Sequence, residues 1–324
     1  MIASNEMKPI KLKMHTQASF PPVSVLIPIH NAEQYLYEAL ESIRNQTFQN
    51  LEVLMILNGC TDSSLNICEF FAELDPRFHT FELENSNLVQ ALNFGVEIAS
   101  GTWIARMDAD DVSETTRIEQ QMAFILENDD VRAVGTNALK ITPNGEVKGL
   151  LEVGPRSREE LRRFQQEGDP IHLCHPSVMF HAETVRTLGG YRQDYYPAED
   201  LDLWTRMAKH HVVLRIDQEL IRYRVHSESI STQKAWQQVC SEKRIRQSIL
   251  LDAHRVRRKY PIPLKIRLAR TELDAYSHYL QKVSERTDSS WPLTRELSLM
   301  FSVIIAPWRF RSAIVRRAHR LRNR

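Results

Sequence analysis

The most chemically loaded stretch of the chain is Trp103-Ile104-Ala105-Arg106-Met107-Asp108-Ala109-Asp110-Asp111. Three carboxylates fall within four positions, directly after an apolar run. Like charges this close repel and disfavour each other's ionisation unless a cation offsets them. A hard divalent ion, Mg²⁺ or Mn²⁺, would do so, because it takes carboxylate oxygens together with substrate phosphates. Alternate side chains of an extended segment point the same way, so Asp108 and Asp110 can face one site. The plain alternative is a solvated acidic turn in which Asp111 caps the following helix.

A second acidic group is Glu199-Asp200-Leu201-Asp202. Leu201, Trp204 and Ala208 fall at helical spacing, which puts Glu199 and Asp200 at a helix entrance. Acids in a first turn complement the helix dipole. In a partly enclosed cleft, one of them can instead serve as a general base. His30-Asn31 and Asn58-Gly59-Cys60-Thr61-Asp62 each follow an apolar run. An imidazole can stack on a nucleobase, and amides or carboxylates can read its edge, although Asn, Gly and Asp are also ordinary turn residues. His226, in Tyr223-Arg224-Val225-His226, is a fifth candidate, since imidazole is the commonest side-chain metal ligand.

These groups need elements to position them. After Pro21-Pro22, residues 23–29 form a β-rich apolar run of the kind found in a buried parallel strand. Helical spacing is expected over 32–47, with Tyr35, Leu36, Ala39, Leu40 and Ile43 on one face. A second strand over 51–57 precedes a helix started by Thr61 or Asp62, with Leu65, Cys68, Phe71 and Leu74 inward. The alternation continues through a strand at 78–83, a helix at 88–99, a strand at 102–107, a helix at 118–126 and a strand at 131–139. It implies an α/β fold with right-handed crossovers and a mainly parallel sheet. Such sheets bind ligands beyond the carboxyl ends of their strands, where the polar clusters fall. Further along, a helix at 157–167, a strand at 176–180, a helix at 200–209 and strands over 212–225 are expected, with largely helical chain after 233.

Composition removes several function classes. The 324 residues carry 42 Lys+Arg against 41 Asp+Glu, a net charge of +1 that gives no reason to expect nucleic acid as a partner. Neither GxGxxG nor GxxxxGK(S/T) occurs, which argues against dinucleotide-binding and P-loop folds. Cys60, Cys68, Cys174 and Cys240 form no CxxC pair, and such sparse thiols suit a reducing cytoplasm. Residues 1–20 read as a flexible lead without an apolar signal segment. The apolar stretch near Leu299–Trp308 is too short to span a bilayer, which takes roughly 20 residues. It joins an arginine-rich end, so 291–324 is either a peripheral membrane contact or a helix packed on the rest of the chain.

Taken in order, six segments resemble the family 2 glycosyltransferases of the GT-A fold. They are Val23 to Asn31, Ser42 to Thr47, Asn58 to Asp62, Asp108 to Asp111, His175-Pro176-Ser177-Val178-Met179, and Glu199 to Trp204. The resemblance covers about residues 22–230. It implies a catalytic domain over 21–230, with a Rossmann-like sheet between helices, followed by a helical region over 231–324. It further implies a nucleotide-sugar donor, usually a UDP-sugar, a divalent metal, and a saccharide or lipid-linked acceptor in surface polysaccharide or glycolipid assembly. Pro28, His30 and Asn31 would line the nucleotide pocket, Asn58 would read the base edge, and Asp108 would lie near the ribose or phosphates. Asp110 would hold the metal, with His226 beside it. Asp200 would be the catalytic base, with Glu199 beside the acceptor. The expected place of action is the cytoplasm, peripheral on the inner face of the cell membrane if the tail engages lipid.

One departure stands out. Relatives often carry two acids before the glycine of the third segment, where this chain has Leu57 and Asn58. Uridine stays the first expectation for the base, with guanosine and thymidine open. Arg206 and Arg224 are candidate helpers of the leaving group, against a default of surface salt bridges. Two other functions fit parts of the pattern. One is a nucleotidyltransferase making nucleotide-sugars, although His30-Asn31-Ala32-Glu33 lacks the glycine and lysine that grip a triphosphate. The other is a non-catalytic nucleotide-sugar binder.

Overall fold

A computed structural model of the chain describes residues 22–256. The lead at 1–20 and the tail at 291–324 lie outside these residues. Strand β1 (Val23–Ile29) is buried at all seven positions, as an apolar run without alternation requires. Helix α1 (Leu36–Arg44) follows and buries Leu36, Ala39, Leu40 and Ile43. It starts later than 32 because the Ala32 carbonyl closes a turn with the N–H groups of Tyr35 and Leu36. Strand β2 (Leu51–Asn58), helix α2 (Ser64–Leu74) and strand β3 (Phe78–Leu83) come next. In α2 Cys68 and Phe71 point inward, but Leu74 is exposed, so the expected apolar face ends a turn early.

Helix α3 (Leu88–Ile98) is capped by Asn87, whose side chain accepts from the Gln90 N–H. Strand β4 (Trp103–Arg106) leads through the acidic turn to a two-residue strand β5 (Val112–Ser113) and helix α4 (Arg117–Glu127). Then come β6 (Val131–Ile141), β7 (Val147–Leu151), α5 (Arg158–Glu167), β8 (Met179–His181), α6 (Ala182–Thr187), α7 (Glu199–Met207), β9 (Val212–Arg224), α8 (Ile230–Gln233) and α9 (Ala235–Val256).

The sheet runs β3-β2-β1-β4-β8-β6-β9-β5, with β7 on β6. Its first four strands are parallel, as the alternation predicts. The second half is mixed: β8 runs antiparallel between β4 and β6, while β6 and β9 are parallel. The segment expected as a strand at 176–180 starts as a 3₁₀ turn over His175–Ser177, and only β8 pairs. Helix α9 leans on the chain before α7. The Ser241 hydroxyl donates to the Tyr196 carbonyl at 3.2 Å, and Ile245 packs with Ala198 and Leu201.

The amino ends of the parallel strands are tied together by one carboxylate. Glu52 accepts from the Ser24 hydroxyl and from both the N–H and the hydroxyl of Ser100. Gly101 closes the same knot, donating its N–H to Ser24 Oγ at 2.8 Å. A Cβ there would come within 2.5 Å of the Ser24 backbone nitrogen. Backbone cannot yield as a flexible side chain does, so Gly101→Ala is expected to cost about 1–3 kcal/mol. An urea midpoint unchanged from wild type would contradict this.

Candidate active site

The acidic turn hangs from the end of β4. The Met107 N–H still bonds the Leu26 carbonyl at 3.1 Å, and the Asp111 N–H then reaches the Asp108 carbonyl at 3.4 Å. One carboxylate oxygen from each of Asp108, Asp110 and Asp111 lies within 4.8 Å of the others. The three are engaged differently. Asp108 has both oxygens on Arg106, Oδ2 to Nη1 at 2.6 Å and Oδ1 to Nη2. Asp110 places Oδ2 at 2.8 Å from His226 Nε2 and has more exposed carboxylate oxygen than Asp111. Asp111 accepts from the Arg224 N–H at 2.8 Å through Oδ1, while its Oδ2 is buried without a partner among the described residues.

Burial raises the Asp108 carboxyl even against the pull of Arg106. Burial, then the charges of Asp110 and Asp108, hold the Asp111 carboxyl well above the usual carboxylate range. The hydrogen bond to Asp110 raises His226 above its ordinary value. Asp111 does not cap a helix, because β5 intervenes and α4 starts after Thr116. Its carboxylate instead ties the turn to the end of β9.

Arg224 completes that tie from within the protein. Its side chain is 2% exposed. Nε donates to the Asp110 carbonyl at 2.8 Å, Nη1 to the Pro143 carbonyl at 2.8 Å, and Nη2 pairs with Glu38 at 2.7 Å. Its guanidinium also lies 4.6 Å from the centre of the Tyr35 ring. Arg224 is therefore no surface ion pair. Neither is Arg206, which pairs with Asp202 and donates to the Leu188 and Gly190 carbonyls. Both arginines hold backbone and show no free fork for a leaving group.

Glu199 and Asp200 open α7, as the apolar stripe predicts. Glu199 is buried with Oε2 unpartnered among the described residues. Burial, then the neighbouring Asp200 charge, push its carboxyl up to about 8. Asp200 is half-buried. Tyr191 feels the charges of both acidic groups, and its hydroxyl is hydrogen-bonded to His175 Nε2 at 3.1 Å. Burial raises the Tyr191 phenol; Arg106 opposes the rise, and the charges of Asp200, Glu199 and Asp108 add to it. Burial, then Arg106, keep His175 well below its ordinary value, so it is a neutral partner. Tyr191 and Arg106 thus lie in the fields of both acidic groups. Asn93 fixes Tyr191 by bonding its N–H and its carbonyl at 2.8 Å each.

The first two strand ends are laced to each other. Asn31 has φ 48°, a left-handed conformation that asparagine tolerates better than most residues. Its Oδ1 accepts from the Thr61 N–H at 2.8 Å. Asp62 accepts from the N–H groups of Glu33 and Ser64, so it shapes the turn into α2 while Ser63 holds the capping position. Exposed His30 donates from Nδ1 to the Asn58 carbonyl at 2.8 Å. Pro28 is a buried strand position in register with Ile56. Asn58 is buried too, and its side-chain carbonyl accepts from the Asn87 N–H at 2.7 Å, so the atom expected at a base edge holds the start of α3.

Sequence reasoning did not pick out Arg106, Tyr191 or Glu38. Arg106 did leave a signal, since an arginine within an apolar strand must be paired when buried. Tyr191 and Glu38 left none, because only the fold brings them to the acids.

The carboxylate turn fits a divalent cation: three oxygens converge, one is buried and unpartnered, and a histidine stands beside them. A family model described as "Glycosyl transferase family 2" matches residues 24–189. The O-antigen biosynthesis glycosyltransferase WbnJ of Escherichia coli is 33% identical over 220 residues, 66% of this chain and 82% of that protein. The amylovoran biosynthesis glycosyltransferase AmsE of Erwinia amylovora is 30% identical over 224 residues, 68% of this chain and 82% of that one. Among solved structures, S. aureus TarS 1-349 in complex with UDP-GlcNAc superposes with a TM-score of 0.57 at 16% identity, covering 89% of this chain and 82% of its own. The Pyrobaculum calidifontis mannosyltransferase PcManGT, in complex with GDP-Man and Mn²⁺, gives 0.54 at 20% identity, covering 93% and 85%. At these identities the structures speak to fold, which is GT-A.

The Glu199 carboxyl makes a pH prediction. Its folded pKa lies above the ordinary 4.5, so the folded state binds this proton more tightly than the unfolded state. That contribution is complete below the unfolded value and is lost as pH rises toward about 8. Glu199→Gln carries no such proton. Relative to wild type, its melting temperature should rise between about pH 5 and about pH 9. An offset equal at both pH values would refute the assignment.

Proposed function

The chain is a glycosyltransferase of family 2, and we propose that it moves a sugar from a nucleotide-sugar donor to an acceptor hydroxyl in one inverting displacement, with a divalent cation at the diphosphate. The observation that carries this reading is the carboxylate turn itself, in which one oxygen from each of Asp108, Asp110 and Asp111 lies within 4.8 Å of the others and His226 stands beside Asp110.

In this reading, Asp200 removes the acceptor proton as the acceptor oxygen bonds to the anomeric carbon. The bond from that carbon to the diphosphate breaks, and its electron pair leaves with the diphosphate. Burial and the neighbouring Asp200 charge raise the Glu199 carboxyl to about 8, which suits it to hydrogen bonding, and the proton removal is assigned to Asp200. Glu199 then serves as a hydrogen-bonding group beside the acceptor. Asp110 and His226 would hold the ion, with Asp111 behind them. When bound, the ion supplies positive charge to the departing diphosphate. Mg²⁺ and Mn²⁺ both suit the oxygen-rich set.

The donor is proposed to lie along the ends of β1 and β2, with the base against His30, Asn31 and Pro28, and the ribose or phosphates by Asp108. Uridine is the proposed base. With the Asn58 carbonyl committed to Asn87, its role is to shape that wall. Surface polysaccharide assembly, with a saccharide or lipid-linked acceptor, is proposed from the named activities of WbnJ and AmsE. A cytoplasmic setting follows from that proposal. Among the described residues no helix is long and apolar enough to cross a membrane.

The test is transfer and donor hydrolysis across UDP-, GDP- and dTDP-sugars, with and without Mn²⁺. Asp200→Asn should keep donor binding while transfer falls about 10²–10⁴-fold. Full turnover by that variant would remove Asp200 from the role, and turnover insensitive to chelation would remove the metal.

A further inference from the structure

Arg106 meets the acidic turn through Asp108, and its surroundings hold it there. It ends β4, a strand buried throughout, and its side chain is 2% exposed. Its N–H bonds the Val178 carbonyl at 2.8 Å, and its carbonyl accepts from Arg117 Nη2 at 2.7 Å. Backbone and fork are therefore both fixed, and the fork takes both oxygens of Asp108. A planar guanidinium suits a carboxylate in this two-point manner and never gives up its charge. For Asp108 to turn toward a metal ion, Arg106 would be left as a buried cation without its partner, which is strongly unfavourable. Asp110 faces no such bar. Its partner His226 is itself a metal-binding side chain, and Asp111 Oδ2 has no partner to leave.

We propose that Arg106 is a positioning residue: it keeps both Asp108 oxygens on its fork and so out of an incoming cation's ligand shell, which leaves the ion to Asp110, with Asp111 behind it. The inference rests on the metal-dependent reading above and adds a division of labour among three neighbouring aspartates.

The experiment measures Mn²⁺ binding, not activity, from the electron paramagnetic resonance of the free ion with purified full-length chain. Arg106→Gln removes the charge and releases Asp108, so bare Mn²⁺ should bind at least about tenfold tighter than to wild type. The double variant Arg106→Gln/Asp108→Asn removes a neutral pair, so it should match wild type within about threefold. Asp110→Asn, which removes a ligand, should weaken binding at least about tenfold. Wild-type affinity in Arg106→Gln, or a loss in the double variant equal to that of Asp110→Asn, would overturn the proposal. If Arg106→Gln does not fold, the double variant, which leaves no buried charge unpaired, decides alone. Mn²⁺-dependent retention of UDP by wild type is the control. Its absence would bring down the metal reading itself, whereas its presence with an unaltered Arg106→Gln would bring down only the role of Arg106.

Discussion

Carboxylates crowded at the end of a strand must find positive charge within the protein, and three buried arginines supply it here. Arg106, Arg117 and Arg224 are each at most 2% exposed. They come from β4, α4 and β9, so the acidic turn is anchored to three separate parts of the fold. Arg106 pairs with Asp108, Arg224 holds the Asp110 carbonyl and pairs with Glu38, and Arg117 holds the Arg106 carbonyl. Breaking one buried pair costs about 3–5 kcal/mol, because the partner is left charged and dry. An energy of that size fixes geometry. The turn can therefore keep its shape with or without an ion, while its charge remains only partly offset.

The same logic reaches the second acidic group. Asp202 sits one turn from Glu199 but is spent on Arg192 and Arg206, which pin the chain before α7. The charges of Glu199 and Asp200 instead act on Tyr191. Asp202, met by two guanidinium groups, is structural. The strand ends at His30 and Asn58 follow a parallel rule, since their polar groups mostly bond one another and so present a preshaped wall.

Much of this was legible in the chain. The buried runs at 23–29 and 51–57, and the helical stripe from Leu201 to Trp204, place His30, Asn58 and Glu199 where the fold has them, because period and burial leave few choices for such segments. The crowding of Asp108, Asp110 and Asp111 announces a need for cations whatever surrounds it. The role of each aspartate was not legible. Asp111 looks like a helix cap because sequence spacing cannot show that β5, two residues long and paired to β9, intervenes. Arg224 looks like a surface residue because its partners, Glu38 and the Asp110 carbonyl, come from segments more than a hundred residues away. The antiparallel entry of β8 was hidden for the same reason, since three residues of strand carry no periodic signal.

Membership of a glycosyltransferase family gives the class of chemistry, and the proposed mechanism divides it between an ion at Asp110 and a proton acceptor at Asp200. Anomalous diffraction from crystals grown with Mn²⁺ and UDP tests that picture most directly. The account predicts one strong manganese peak in contact with the Asp110 carboxylate, beside the UDP diphosphate and on the side facing Tyr191 and Asp200. A peak remote from Asp110, or UDP seated with its diphosphate turned away from Asp200, would contradict it.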